Sequence, residues 1–122
     1  SKPCYVQVNV DGDSEMKAMI EKKLLKYDIQ HLEVASKVLN VKVVGAETGR
    51  SQGVSGARSF VKTEVEVSFD LKNTQGKSLY AFQKSANGLG NSFGKSVLKA
   101  VSNLKISKGI KSVSALSCKV KN

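Results

Sequence analysis

No apolar run in this 122-residue chain approaches the roughly eighteen residues a membrane-spanning helix needs. The opening SKPCYVQVNV has no basic stretch followed by a long apolar segment, so no secretory leader is expected within it. Histidine occurs once, at His31, and cysteine twice, at Cys4 and Cys118. One imidazole and two distant thiols do not make a ligand cluster, so no metal site and no cofactor are expected. The same scarcity works against Ser-His-Asp catalysis. Gly53-Val54-Ser55-Gly56 is one residue short of a nucleophile elbow, and His31, just after a helical stretch, reads as a cap or surface residue.

A phosphate-binding loop is missing by one register. GLGNSFGKS, residues 88–96, ends in Gly94-Lys95-Ser96, but the position that must be the first glycine is Leu89. Gly88 comes one residue too early and Gly90 one too late. The glycines are therefore expected to serve a strand-to-helix corner. Glu64 and Glu66 share a strand face with Lys62 and Lys84 at hand, which reads as a solvated charged surface. No enzyme is expected.

Charge of one sign is abundant. Twenty Lys and Arg face ten Asp and Glu, a net charge of +10, and only Arg50 and Arg58 are arginines. Such a field favours acidic partners: nucleic acid, lipid headgroups, lipopolysaccharide or acidic proteins. Lysine attracts anions without the bidentate fork of arginine. Both arginines fall in GAETGRSQGVSGARS, residues 45–59, which reads as a mobile loop that contributes to partner binding.

CYVQVNV alternates as a strand and ends at Asp11-Gly12; Asp13 or Ser14 then caps a helix running to about Asp28. A second strand is expected at about Val34 to Val44. VKTEVEVSFDL alternates strictly, with Val61, Thr63, Val65, Val67, Phe69 and Leu71 on one face and Glu64, Glu66, Ser68 and Asp70 on the other. Asn73-Thr74-Gln75-Gly76 is a hairpin turn and SLYAFQK the returning strand. Asn87, Gly88 and Gly90 break that strand. Asn91 or Ser92 then caps a helix with the stripe Phe93, Val97, Leu98, Val101 and Leu104, and SVSALSCKV closes the chain as a strand.

Residues 1–122 thus read as one α+β domain: a two-layer sandwich, mostly antiparallel, two helices on one sheet face, order β-α-β-β-β-α-β. Cys4 and Cys118 share the apolar parity of their terminal strands. If those strands are neighbours, a disulfide closes almost the whole chain, which favours an oxidising compartment. Met16 and Met19 beside Phe93 are candidates to line a small adaptable pocket.

The order α-β-β-β-α between residues 14 and 104 resembles the double-stranded-RNA-binding domain. Lys95 and Lys99 stand where that family packs three basic residues, and loop 45–59 lacks its Gly-Pro-x-His. A second resemblance covers more of the chain. TEVEVSFDLKNTQGKSLYAFQKSANGLGNSFGKSVLKAV, from Thr63, is similar to the closing half of small envelope domains: the TolB N-terminal domain, curli-secretion lipoproteins and penicillin-binding-protein activators. Its turn, Asp70 to Lys77, is two residues longer than their D-x-x-T-G-K, and the cysteine pair is not part of their pattern.

This resemblance implies the ectodomain of a bacterial lipoprotein, periplasmic or anchored to the outer membrane. The expected function is non-catalytic binding or assembly outside the cytoplasm. Its partner would be an envelope protein or an anionic envelope component, a lipid headgroup or lipopolysaccharide, rather than nucleic acid. Arg50, Arg58, Lys95 and Lys99 are the candidate contact residues. The alternatives are a carrier of a small apolar or lipid ligand and a module like the RNA-binding domain.

Overall fold

The alternation from Val61 to Leu71 becomes an interior strand of a mixed sheet. The computed structural model describes residues 4–51 and 59–118. The elements are β1 (Cys4–Asp11), α1 (Ser14–Leu25), β2 (Ile29–His31), β3 (Val38–Ser51), β4 (Phe60–Lys72), β5 (Ser78–Gly90), α2 (Phe93–Ser102) and α3 (Ser107–Ser117). The sheet order is β2-β1-β3-β4-β5. β1 pairs in parallel with β2 and β3, and β3-β4-β5 form an antiparallel meander.

Period-two patterning decides which face is buried. Val61, Thr63, Val65, Val67, Phe69 and Leu71 are buried under the helices; Glu64 and Glu66 on the opposite parity are exposed. Cys4, Val6 and Val8 of β1 and Leu39 and Val41 of β3 join the same core, with Ile20 and Leu24 of α1 and Ile110 and Val113 of α3. Phe69 stacks on its cross-strand partner Phe82, ring centroids 4.5 Å apart. Burying each of these large side chains contributes about 1.5–3 kcal/mol before entropy is counted. The result is an α+β two-layer sandwich in which the described helices cover one sheet face.

Helix starts follow local chemistry. Asp13 caps α1 by accepting the Met16 N–H, and Ser92 caps α2 by accepting that of Lys95. α1 stops at Leu25, earlier than expected, and Asp28 turns the chain at φ 59° into β2. Gly76, at φ 78°, closes the β4–β5 hairpin where a side chain would be strained.

Four expectations are corrected. The expected second strand is two: β2, and β3 beginning at Val38. With β2 added, α1 and α2 bracket four strands, which departs from the order of the RNA-binding module. Residues 45–51 are not loop but the continuation of β3, paired with Phe60–Val65 across a register shift between Glu47 and Gly49. Backbone pairing needs no apolar side chains, so the glycine-rich stretch is carried by its partner strand. β5 runs through Asn87 and Gly88 to Gly90 without breaking.

The fourth correction is the C-terminal segment, which is helix, giving the order β-α-β-β-β-β-α-α. Both edges of β1 are already taken, by β2 and β3, so no terminal strand can lie beside it. Ile106, Ile110 and Val113 are buried at helical spacing, while Leu116 is 43% exposed. Cys118 nonetheless reaches Cys4, Cα to Cα 5.1 Å, and forms the disulfide from the helix layer. Lys84 also falls elsewhere than expected: it pairs with Val67, off the Glu64–Glu66 face.

Candidate functional site

The near-miss phosphate loop is where α2 sits on the sheet. A Cβ at Gly88 would collide with the Ser96 carbonyl and the Ala100 amide, and one at Gly90 would lie 2.7 Å from the Ser96 nitrogen. The glycines seat a helix backbone against a strand and leave no room for a phosphate between them. Ser96, fully buried, hydrogen-bonds to buried Thr63 of β4 and donates to the Phe93 carbonyl at 2.8 Å. That pair ties α2 to the sheet.

The candidate contact residues do not converge. Lys95 borders a hollow of about 320 Å³ between the starts of α1 and α2, with Met16, Phe93, Asp13 and Glu15. Met19 is not on that wall; it packs against the core. Lys99 borders a separate hollow of about 370 Å³ with Lys62, Asn87, Leu89 and Asn103. The Arg50 guanidinium on β3 is paired with Glu47 at 2.6 Å. Arg58 lies outside the described residues.

Apolar exposure is spread over several elements, with Val34 (84%), Val44 (55%) and Leu25 (54%) among the most exposed large apolar side chains. Phe60 (41% exposed) opens β4, Leu89 (57%) stands opposite Lys62 near the end of β5, and Phe93 (45%) starts α2. β3 ends opposite Phe60, whereas β1 ends much earlier along β3, where Asp11 pairs with Lys42, and α1 starts beside Phe93. The sequence reading missed Phe60 and Leu89; an apolar residue on the polar parity of a strand is the signal that would have found them.

Charge is divided between the layers. The segment 91–118 carries Lys95, Lys99, Lys105, Lys108 and Lys111 and no acidic residue. The open face mixes signs: Lys42, Lys62 and Lys72 with Glu64, Glu66 and Asp70. It also carries an amide row in which Asn9 donates to Asn40 at 3.4 Å. Among the described residues, the net positive charge therefore sits largely on the helical side.

His31 is held on both nitrogens. The Val8 N–H donates to its Nδ1 at 2.9 Å, which leaves Nε2 to donate to Glu33 at 3.2 Å. It bridges β1 and β2 and is neither a cap nor a free base. Among the described residues, no group of three or more His, Cys, Asp or Glu converges on a metal position. No described helix is long and apolar enough to cross a membrane.

No protein-family model and no curated protein matches the chain. Solved structures do. A minor lipoprotein from Acinetobacter baumannii superposes with a TM-score of 0.55 at 11% identity, over 92% of this chain and 93% of its own. Rare lipoprotein B from Shewanella oneidensis superposes with a TM-score of 0.50 at 12% identity, over 92% of this chain and 97% of its own. The chain shares its fold with bacterial lipoproteins. At such identities the likeness speaks for the fold, so side-chain roles must come from this chain's own surface.

Proposed function

We propose that the chain is a non-catalytic binding domain of a bacterial envelope lipoprotein, folded outside the cytoplasm. The observation that carries this reading is the near-complete overlap with a minor lipoprotein, over 92% of this chain and 93% of that one. The Cys4–Cys118 disulfide supports an oxidising compartment. The finer resemblance to TolB-like, curli-secretion and penicillin-binding-protein-activator domains belongs to the same proposal.

The partner is an envelope protein or an anionic envelope component, a lipid headgroup or lipopolysaccharide. Exposed Phe60 and Leu89 on the strands and Phe93 on α2 offer apolar contact, and the lysines of the helical layer attract anions. Duplex RNA is the disfavoured ligand. The test is binding to anionic vesicles, lipopolysaccharide and duplex RNA at low salt and at about 0.15 M, where bulk attraction is screened. Retention of an envelope ligand at the higher salt supports the reading, and retention of RNA alone refutes it. An Arg50→Ala/Arg58→Ala variant reports on the arginines: unchanged binding removes them from the contact surface.

A second reading, a carrier of a small apolar or lipid ligand, is favoured by one feature. Met16 and Phe93 share the wall of the hollow of about 320 Å³. Its test is displacement of a fluorescent fatty acid, abolished by Met16→Glu.

A further inference from the structure

A second basic feature lies at the opposite end of the helical layer. The end of α1 meets the α2–α3 junction there, around a cleft of about 360 Å³. Lys23, Lys26 and Lys105 border it together with Tyr27 and Ser107, and no carboxylate does. The Lys23 ammonium donates to the Ser102 carbonyl at 3.0 Å, which fixes one cation at the mouth. Among the described residues none of the three lysines is ion-paired.

Lys23 is half-buried beside exposed Lys26 and Lys105. Burial first, and the Lys26 charge second, push the Lys23 ammonium below its ordinary value. A lowered lysine favours its neutral form in the fold, so below the lowered value the charged group works against folding. That opposition fades as pH rises through it. A bound anion would remove the same opposition at neutral pH. Lysines present point charges, without the planar fork that suits a carboxylate, so a compact anion with several negative charges fits best.

We propose that this cleft binds a phosphoryl group, held by Lys23, Lys26 and Lys105 with Tyr27 and Ser107 beside it. The inference rests on the reading of an anionic partner and gives that partner a site, at the ends of α1 and α2 rather than at their starts. Inorganic phosphate and a phosphate-bearing lipid headgroup share this chemistry, and the experiment separates them.

The experiment measures binding at about 0.15 M salt, where bulk attraction is screened. The probes are inorganic phosphate, acetate, and phosphatidylcholine vesicles with and without phosphatidic acid. Three proteins are compared: wild type, Lys23→Gln/Lys26→Gln/Lys105→Gln, and Lys42→Gln/Lys62→Gln/Lys72→Gln, which removes the same charge from the open face. Phosphate or phosphatidic acid, and not acetate, should bind wild type and the open-face variant alike and the cleft variant roughly tenfold more weakly. Binding of phosphate points to a free anion, and binding of vesicles alone to a headgroup; both support the site. Equal loss in the two triple variants, or none in the cleft variant, overturns the cleft while leaving an anionic partner standing. Failure of every probe on wild type overturns both. Thermal melting without ligand checks that each variant folds.

Discussion

Gly88 of β5 lies directly beneath Ala100 of α2, so close that a Cβ at position 88 would meet the Ala100 amide nitrogen. Helix backbone touches strand backbone there, with Ser96 and Ala100 as the small residues that allow it. Gly88→Ala must push α2 off the sheet and should destabilise the fold by about 2 kcal/mol or more in denaturant unfolding. A change within about 0.5 kcal/mol, the size of an ordinary surface substitution, would show that the close seat is not needed.

The same contact bears on the near-miss phosphate loop. Lys95 is exposed on the first turn of α2, away from the Gly88–Ala100 seat. Lys95→Ala should fold as wild type does, and ATP with Mg²⁺ should leave the melting curve unmoved. A Mg²⁺-dependent rise in Tm that Lys95→Ala abolishes would restore the nucleotide reading.

Thr63 and Ser96 form a buried polar pair between β4 and α2. Ser96→Ala alone strands the Thr63 hydroxyl away from water and should cost about 1–3 kcal/mol. Adding Thr63→Val removes the stranded group. The double variant should therefore be less destabilised than the sum of the singles, with a coupling of roughly 0.5–2 kcal/mol in a double-mutant cycle. Strict additivity would mean the two hydroxyls act independently.

Cys4 and Cys118 are 114 residues apart in sequence. Closing so long a loop is worth about 4–5 kcal/mol in the chain-entropy account, less any strain. Thiol titration of the denatured, unreduced protein should find no reactive thiol, and reduction should lower Tm by roughly 10 °C or more. Two titratable thiols in protein taken from an oxidising compartment would contradict the bridge.

Much of the fold was legible because one face of the sheet is buried and the other is not. The strict alternation of β4, the caps at Asp13 and Ser92 and the turn at Gly76 each carry a local signal that tertiary contacts reinforce. The C-terminal segment misled because Leu116, Cys118 and Val120 alternate as a strand would. The helical signal lay upstream, in Ile106, Ile110 and Val113. The disulfide was legible as a pairing of two cysteines, yet it joins strand to helix and not strand to strand. Residues 45–51 hid their strand because their pairing is supplied by β4. The lysine cleft was not legible: Lys23 and Lys105 are 82 positions apart (105 less 23), and only the α1–α2 packing brings them together.

The proposed envelope assignment is tested most directly by following the complete gene product in its own cells, with a fatty-acid analogue label and membrane fractionation. A fatty-acylated product in the membrane fraction, with Cys4 and Cys118 oxidised in whole cells, is the expected result. An unlabelled product in the cytosol, with both thiols reduced, would contradict it.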